Sequence, residues 1–540
     1  MCEVIKSNFE SYLPSITDVV KKAEFVAIDT EFTGLQLNEQ NKPSLFDGSE
    51  ERYRKLKNCV SQFLVCQIGI SAFVKEADNK YLAYTFNFPL FPTSFGPVDV
   101  RFQCQASSLK FLCQFKFDFQ KFIYEGVSYM NESQEHIVRE HMSSNAMFLG
   151  LERDADEHYL QKICSQVAEW FVSSKMGDTL TVHCDKGCQT GDDYVVHSEI
   201  RNRFPSVWTV TDPFGKIVVE RISAEKRKTM EEESRESQRQ QEEQLINTML
   251  GFTRVFRLLI ELKKILVGHN MLMDLMFMHE KFFKPLPEKY CDFKRNIHEM
   301  FPIVFDTKHF CTQLKKPFEQ SKLLESTSLG DLYLALDSSK GKLHILCQPD
   351  IIHAPGFQRY NGVHSPHEAG YDAYQCGYVF LRIAHMVTFK DTKSMNVTPC
   401  SFDVYLKNTT KFQNSVNIIR AMINYINLDK EDPPSKRPQL LFVTTRKYGQ
   451  SLKTEQLGCW FSKYGTVDIR LQGRQKALVA TGNFSCAKDI LRSFRHHEVI
   501  RVTYYNIWKH STLIRGLMWT GVAASGGLCL WVLLSSSKNS

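Results

Sequence analysis

The 540-residue sequence contains no CxxC pair, although it has 16 cysteines. Thiols scattered in this way exclude a zinc ribbon and read as reduced side chains. His183, Cys184 and Cys188 lie close together, but no second half at metal-ligand spacing follows them. The N-terminal stretch MCEVIKSNFE lacks the apolar core of a secretory signal, so the chain is expected to face the cytosol. Charge of one sign is also scarce. A formal balance of +7 is compatible with a phosphate-bearing partner and too small to demonstrate one. Long hydrophobic runs are missing too, with one exception. Residues 516–534, GLMWTGVAASGGLCLWVLL, carry no charge, and at 1.5 Å per residue they span about 28 Å, close to the hydrocarbon core of a bilayer. Lys509, His510 and Arg515 precede this run and only Lys538 follows it. The pattern predicts a single C-terminal transmembrane helix over 515–536, a tail anchor that leaves the folded domains in the cytosol.

What is present is an ordinary globular composition, 43% hydrophobic and 24% charged, in a chain long enough for two to four domains. The N-terminal third alternates strand-like runs, such as FLVCQIGISAFV and KYLAYTFNFPLF, with helical stretches, which predicts an α/β sheet. Between Ala224 and Gln244 the chain is almost wholly polar with mixed charges at helical spacing, which reads as a solvated helix. NLDKEDPPSKRP, from Asn427 to Pro438, reads as a linker. Beyond it the order strand, helix, strand, strand, helix, strand is that of an RRM-like module. The run Lys476–Gly482 has no aromatic to stack a base, and the first strand offers only Phe442.

The chemistry begins at FVAIDTEFTG. Asp29 and Glu31 alternate on the same side of an apolar strand, and two neighbouring carboxylates are held ionised by a divalent cation. Further ligands are therefore sought downstream. In GHNMLMD, Asp274 lies one turn into a helix that follows a strand, with Asn270 at i−4 on the same side. In HSPHEAGYDAY, Asp372 on a helix and His367 just before it complete the set. Four carboxylates and one histidine suit a two-metal nuclease.

In this order the motifs resemble the DEDDh exonucleases. AIDTEFTG, EERYRKLK, TFNFPLFP, FDFQKF, GHNMLMD, FDTKHF and HEAGYDAY are similar in detail to the poly(A)-specific ribonuclease, or PARN-like, group over nearly the whole chain apart from the tail. The resemblance implies an RNase H-like α/β core built from residues 1–150 and 245–430. It implies an inserted arginine–histidine-box-like domain with its polar helix at 151–244 and an RRM-like module at 438–508. The insertion departs from the box pattern: Asp154, Thr179 and Asp193, not arginine, precede His158, His183 and His197 by four positions.

The expected activity is 3′ to 5′ hydrolysis of single-stranded RNA with a free 3′ end, releasing 5′-nucleotides. Asp29, Glu31, Asp274 and Asp372 are expected to hold two Mg²⁺ ions, and neutral His367 to take the proton of the attacking water. Asn270 is expected to position a sugar or phosphate, Lys308 to meet the RNA backbone, and Phe32, Phe117 and Phe119 to stack on bases. The tail resembles the anchored branch of the group, which trims precursor piRNA 3′ ends in germ cells. That likeness implies the mitochondrial outer membrane or the endoplasmic reticulum, a homodimer, and a membrane-bound piRNA-pathway adaptor. Two other readings stay open: deadenylation of mRNA, and a degenerate nuclease that holds RNA or a partner at a membrane without cutting. The presence of all four acids and His367 argues against the second.

Overall fold

A computed structural model of the chain describes residues 3–77, 79–143, 154–182, 192–213, 215–344, 347–390, 400–446, 450–510 and 512–536. It divides into two compact units, one of residues 1–42, 53–417 and 427–431, the other of residues 43–52, 418–426 and 432–540.

The first unit is built on a six-stranded mixed sheet. Its central strand β1 (Phe25–Phe32) is apolar on both faces over its first four residues, all buried, as expected where layers cover a sheet on each side. Strands β2 (Val65–Ala77) and β3 (Lys80–Pro89) follow as antiparallel neighbours. Strand β4 (Leu266–Gly268) lies parallel to β1, β5 (Val304–Asp306) parallel to β4, and β6 (Asp350–His353) parallel to β3. The order across the sheet is β5-β4-β1-β2-β3-β6, with only β2 running against the rest. The α/β core expected from the sequence is therefore present.

Three helices matter for the site: α1 (Ala106–Gln114), α2 (Leu272–Met278), which starts four residues after β4, and α3 (Ala369–Lys390). Helix α3 is buried on every side from Ala369 to Met386. Its close seat requires bare positions beneath it. A Cβ on Gly69 of β2 would stand 2.0 Å from the Ala369 carbonyl oxygen, and one on Gly377 would stand 2.0 Å from the Phe73 ring. The strands also cap the helix, because Gln67 Oε1 accepts from the Ala369 N–H at 2.9 Å and Asn87 Oδ1 from the Gly370 N–H at 3.0 Å. Phe25 joins strand to helix in the core, stacked on Phe73 at 4.7 Å and edge-on to Phe380 at 5.1 Å.

Between α1 and β4 the chain adds a small subdomain. Strands Thr179–Val182, Ile217–Arg221 and Val207–Thr211 form a sheet in that order, against helices Asp154–Ser173 and Asp192–Arg203. It has a core of its own around Leu160, Val167, Ile200 and Val219. His197 engages both ring nitrogens, with Thr209 at 2.7 Å and Thr211 at 2.8 Å, and the Arg201 guanidinium lies 3.8 Å above the Trp208 ring. The polar run after it is helical, Ala224–Leu250. His183, Cys184 and Cys188 lie outside the described residues.

The second unit contains strands Leu441–Thr445, Val467–Leu471, Lys476–Thr481 and Ile500–Tyr504 with helices Thr454–Phe461 and Phe484–Ser493. The strands are antiparallel in the order 467–471, 476–481, 441–445, 500–504. Phe442 is only 5% exposed, because the His510 ring stacks on it at 4.2 Å.

The membrane tail is corrected by the structure. Residues Thr512–Ser536 do form a helix, but among the described residues no helix is long and apolar enough to cross a membrane. Gly516, Gly521, Gly526 and Gly527, with Thr520 and Ser525, dilute the apolar run that absence of charge had suggested. The anchor, and the location at the mitochondrial outer membrane or endoplasmic reticulum that rested on it, are not supported.

Candidate active site

The ends of β1, α2 and α3 meet at one cleft. Pairing of β1 with β2 sets Asp29 opposite Gly69 and Glu31 opposite Gln67, and the ladder then slips between Glu31 and Phe32. Such a bulge turns the strand end and re-aims its side chains. Asp274 arrives in the first turn of α2, because β4 runs parallel to β1 and releases the chain beyond the carboxyl ends of both strands. Asp372 arrives in the first turn of α3, which the bare Gly69 lets down onto the sheet. Asp29 and Glu31 are partly buried, and Asp274 and Asp372 are buried.

Local hydrogen bonds fix these acids. The Thr30 hydroxyl donates to Asp274 Oδ1. The His367 backbone N–H donates to Asp372 Oδ2 at 3.1 Å, so the loop carrying the imidazole is tied to the last carboxylate. His367 holds φ at +61°, a region that costs a non-glycine residue free energy and persists where the surroundings enforce it. Its ring packs against Phe111 at 4.6 Å and Phe115 at 4.1 Å.

The electrostatics are those of an anionic cluster. Burial pushes the Asp29 carboxyl well above the usual carboxylate range, and the charges of Asp372, Asp274 and Glu31 push it further. Burial followed by Asp372 and Asp274 does the same to Glu31. Asp274 is raised to about 6 by burial, against the restoring bond from Thr30. Asp372 is raised to about 7 by burial, against the His367 N–H. Burial moves His367 the other way, below 6.5, which favours the neutral imidazole. Among the described residues no lysine or arginine forms a salt bridge with any of the four acids.

A divalent cation fits this cleft. Single ligand atoms of Glu31, His367 and Asp372 all lie within 4.8 Å of one another. A hard cation takes carboxylate oxygens, and its charge removes the repulsion that raises their pKa values.

Asp306 is nearby and has a different task. Its carboxylate accepts from the backbone N–H groups of Asn270, Met271, Lys308, His309 and Asn417, at 2.9 to 3.2 Å. It thereby fastens the β4–α2 turn to the helix Thr307–Leu314. Asn270 holds the left-handed conformation of that turn, at φ +60°, and its Oδ1 accepts from the Asn417 amide at 2.7 Å. Lys308 is half-buried at the start of the helix that Asp306 caps. Phe32 stacks on Phe277 at 4.2 Å. Phe117 and Phe119 lie 4.9 Å apart and pack on a satellite core of Leu64, Cys66, Leu112 and Phe122.

The structure thus brings Asp29, Glu31, Asp274, Asp372 and His367 together. Sequence reading missed Thr30, Gly69, Phe111 and Phe115. Gly69 left one trace, a lone glycine inside the apolar strand QIGISAF, which marks a close backbone approach.

Comparison with known proteins adds the following. The family described as CAF1 family ribonuclease matches residues 4–380. Poly(A)-specific ribonuclease PNLDC1 of Mus musculus is 35% identical over 520 residues, 96% of each chain. The pre-piRNA 3′-exonuclease trimmer of Bombyx mori is 34% identical over 545 residues, 99% of each chain. Poly(A)-specific ribonuclease PARN of Homo sapiens is 30% identical over 546 residues, 93% of this chain and 80% of that one.

Proposed function

From the premise that the chain belongs to the CAF1 family of ribonucleases and is a 3′–5′ exoribonuclease, we propose that it trims the 3′ ends of single-stranded precursor piRNA with two Mg²⁺ ions. The observation that carries the reading is the meeting of four carboxylates from β1, α2 and α3 beside one imidazole. Asp29, Glu31, Asp274 and Asp372 hold the metal. Bound there, divalent cations supply charge neutralisation and Lewis acidity for an in-line phosphodiester displacement.

The remaining work belongs to the chain. His367, kept neutral by burial, accepts the proton of the attacking water. Water oxygen bonds to the terminal phosphorus, the bond to the 3′ oxygen of the preceding nucleotide breaks, and a 5′-nucleotide leaves. Lys308 offers a point charge to the RNA backbone, and the outer face of Phe32 a stacking surface for the last base. Asn270 acts by shaping the turn before Asp274. No stacking role is proposed for Phe117 and Phe119, whose rings are taken up by the satellite core.

Trimming of precursor piRNA is favoured by the match to the Bombyx mori trimmer along 99% of both chains. Deadenylation of mRNA is the second reading, since other relatives carry the name poly(A)-specific ribonuclease. A 5′-labelled RNA incubated with and without Mg²⁺ tests the activity: a one-nucleotide ladder that needs the metal supports it, and binding without shortening removes it. Parallel reactions on oligo(A) and mixed-sequence RNA separate the two substrates. A trimmer shortens both at similar rates, whereas a deadenylase stalls on the mixed sequence.

A further inference from the structure

A general base must be aimed, and imidazoles in active sites are commonly aimed by a hydrogen bond to the second ring nitrogen. Among the described residues His367 has no hydrogen bond to either ring nitrogen. In place of one it has two phenyl rings. Phe111 meets it edge-on, with 4.6 Å between centroids and 71° between planes, and Phe115 lies at 4.1 Å and 57°. The phenyl rings also touch each other, at 4.9 Å. Both rings are partly open to solvent, at 40% and 37% exposed.

The helix that carries Phe111 and ends at Phe115 is itself tied to the strand of acids. Gln105, at the start of α1, accepts through Oε1 from the Leu35 and Gln36 N–H groups at 3.0 and 3.1 Å. Its own N–H donates to the Thr33 carbonyl at 2.8 Å, and the Thr33 hydroxyl donates to the Gln103 carbonyl at 3.1 Å. Residues 33–36 continue directly from β1. A hydrogen-bonded path therefore runs from the strand of Asp29 and Glu31, through Gln105 and α1, to the two rings on His367.

We infer that Phe111 and Phe115 are positioning residues, an aromatic clasp that holds the His367 imidazole over the acidic cleft in place of a hydrogen-bonded partner. The inference rests on the assignment of His367 as the base. The clasp spares both ring nitrogens, leaving one for the attacking water. It also predicts that the rings act on the rate and only through the histidine.

The test is a double-mutant cycle on the full chain, with single-turnover rates on a 5′-labelled single-stranded RNA at saturating Mg²⁺. His367→Ala is expected to lower kcat by about 10²- to 10⁴-fold, the usual contribution of general base catalysis. Phe111→Ala/Phe115→Ala is expected to lower kcat by about 10²-fold, the effect of a misplaced catalytic group, with KM little changed. Added to His367→Ala, the two substitutions should cost nothing further. Phe111→Tyr/Phe115→Tyr should restore the rate, and Phe111→Leu/Phe115→Leu, of similar bulk without the ring, should not.

If the alanine pair raises KM, or costs as much without the histidine as with it, the rings stack on RNA and the clasp is overturned. If the leucine pair turns over like wild type, ring packing is irrelevant and the inference fails while the base assignment stands. If His367→Ala alone keeps the wild-type rate, the base assignment falls first and the clasp with it.

Discussion

At the residue scale the cleft is a cluster of charges that folding alone would not choose. Asp372 is raised from its ordinary 3.8 to about 7, so in the metal-free protein its contribution to stability is fully present below about pH 4 and is lost as the pH rises through about 7. Asp29 and Glu31, also raised, add loss of the same sign. Asp29→Asn is therefore expected to raise the thermal midpoint of the metal-free protein at pH 8, by roughly 2 to 4 °C for each kcal/mol of repulsion relieved. Mg²⁺ should reverse that order, and kcat should fall by about 10³-fold or more; calorimetry and the RNA ladder read the two effects. An Asp29→Asn variant less stable than wild type without metal would contradict the electrostatics. His367 is depressed below 6.5, so the acid limb of the kcat profile should lie below pH 6.5, and a midpoint above 7 would remove the half-buried imidazole from the rate. The chemical identities were legible in the sequence because they are local: DxE on a strand and the spacing in GHNMLMD need only the periods of strand and helix. Thr30, Phe111 and Phe115 were not, since their roles depend on partners 244, 256 and 252 positions away.

At the scale of elements, β1, the strand of the GHNMLMD motif and the helix carrying Asp372 were all readable from hydrophobic period and turn signals. How close they come was not. That distance is set by Gly69, and a methyl group there would collide with the Ala369 carbonyl. Gly69→Ala is expected to lift the first turn of α3, lowering stability by about 1 to 3 kcal/mol and kcat by about 10²-fold. Urea unfolding and single-turnover kinetics would show both, and normal activity would mean that the helix start adjusts freely. Gly377→Ala meets the Phe73 ring two turns further along, so it should cost comparable stability with a smaller effect on rate. The C-terminal helix teaches the converse. An uncharged stretch was easy to see, but crossing a membrane needs apolarity as well as neutrality, and glycine supplies little.

At the scale of the whole molecule the chain forms two units with separate cores, whose segments interleave along the sequence. Their unfolding should not be a single all-or-none event. Scanning calorimetry is expected to resolve two transitions, of which only the one from the unit with the four acids moves upward with Mg²⁺. Movement of both, or of neither, would place the cation elsewhere. One buried side chain also constrains how the first unit can be made. Asp306 gathers N–H groups from residues 270, 271, 308, 309 and 417, so the fastening of the β4–α2 turn is complete only when the last of these has joined it. A nascent chain halted between Asp372 and Asn417 already owns every reactive group of the cleft, yet lacks the final stitch that steadies it.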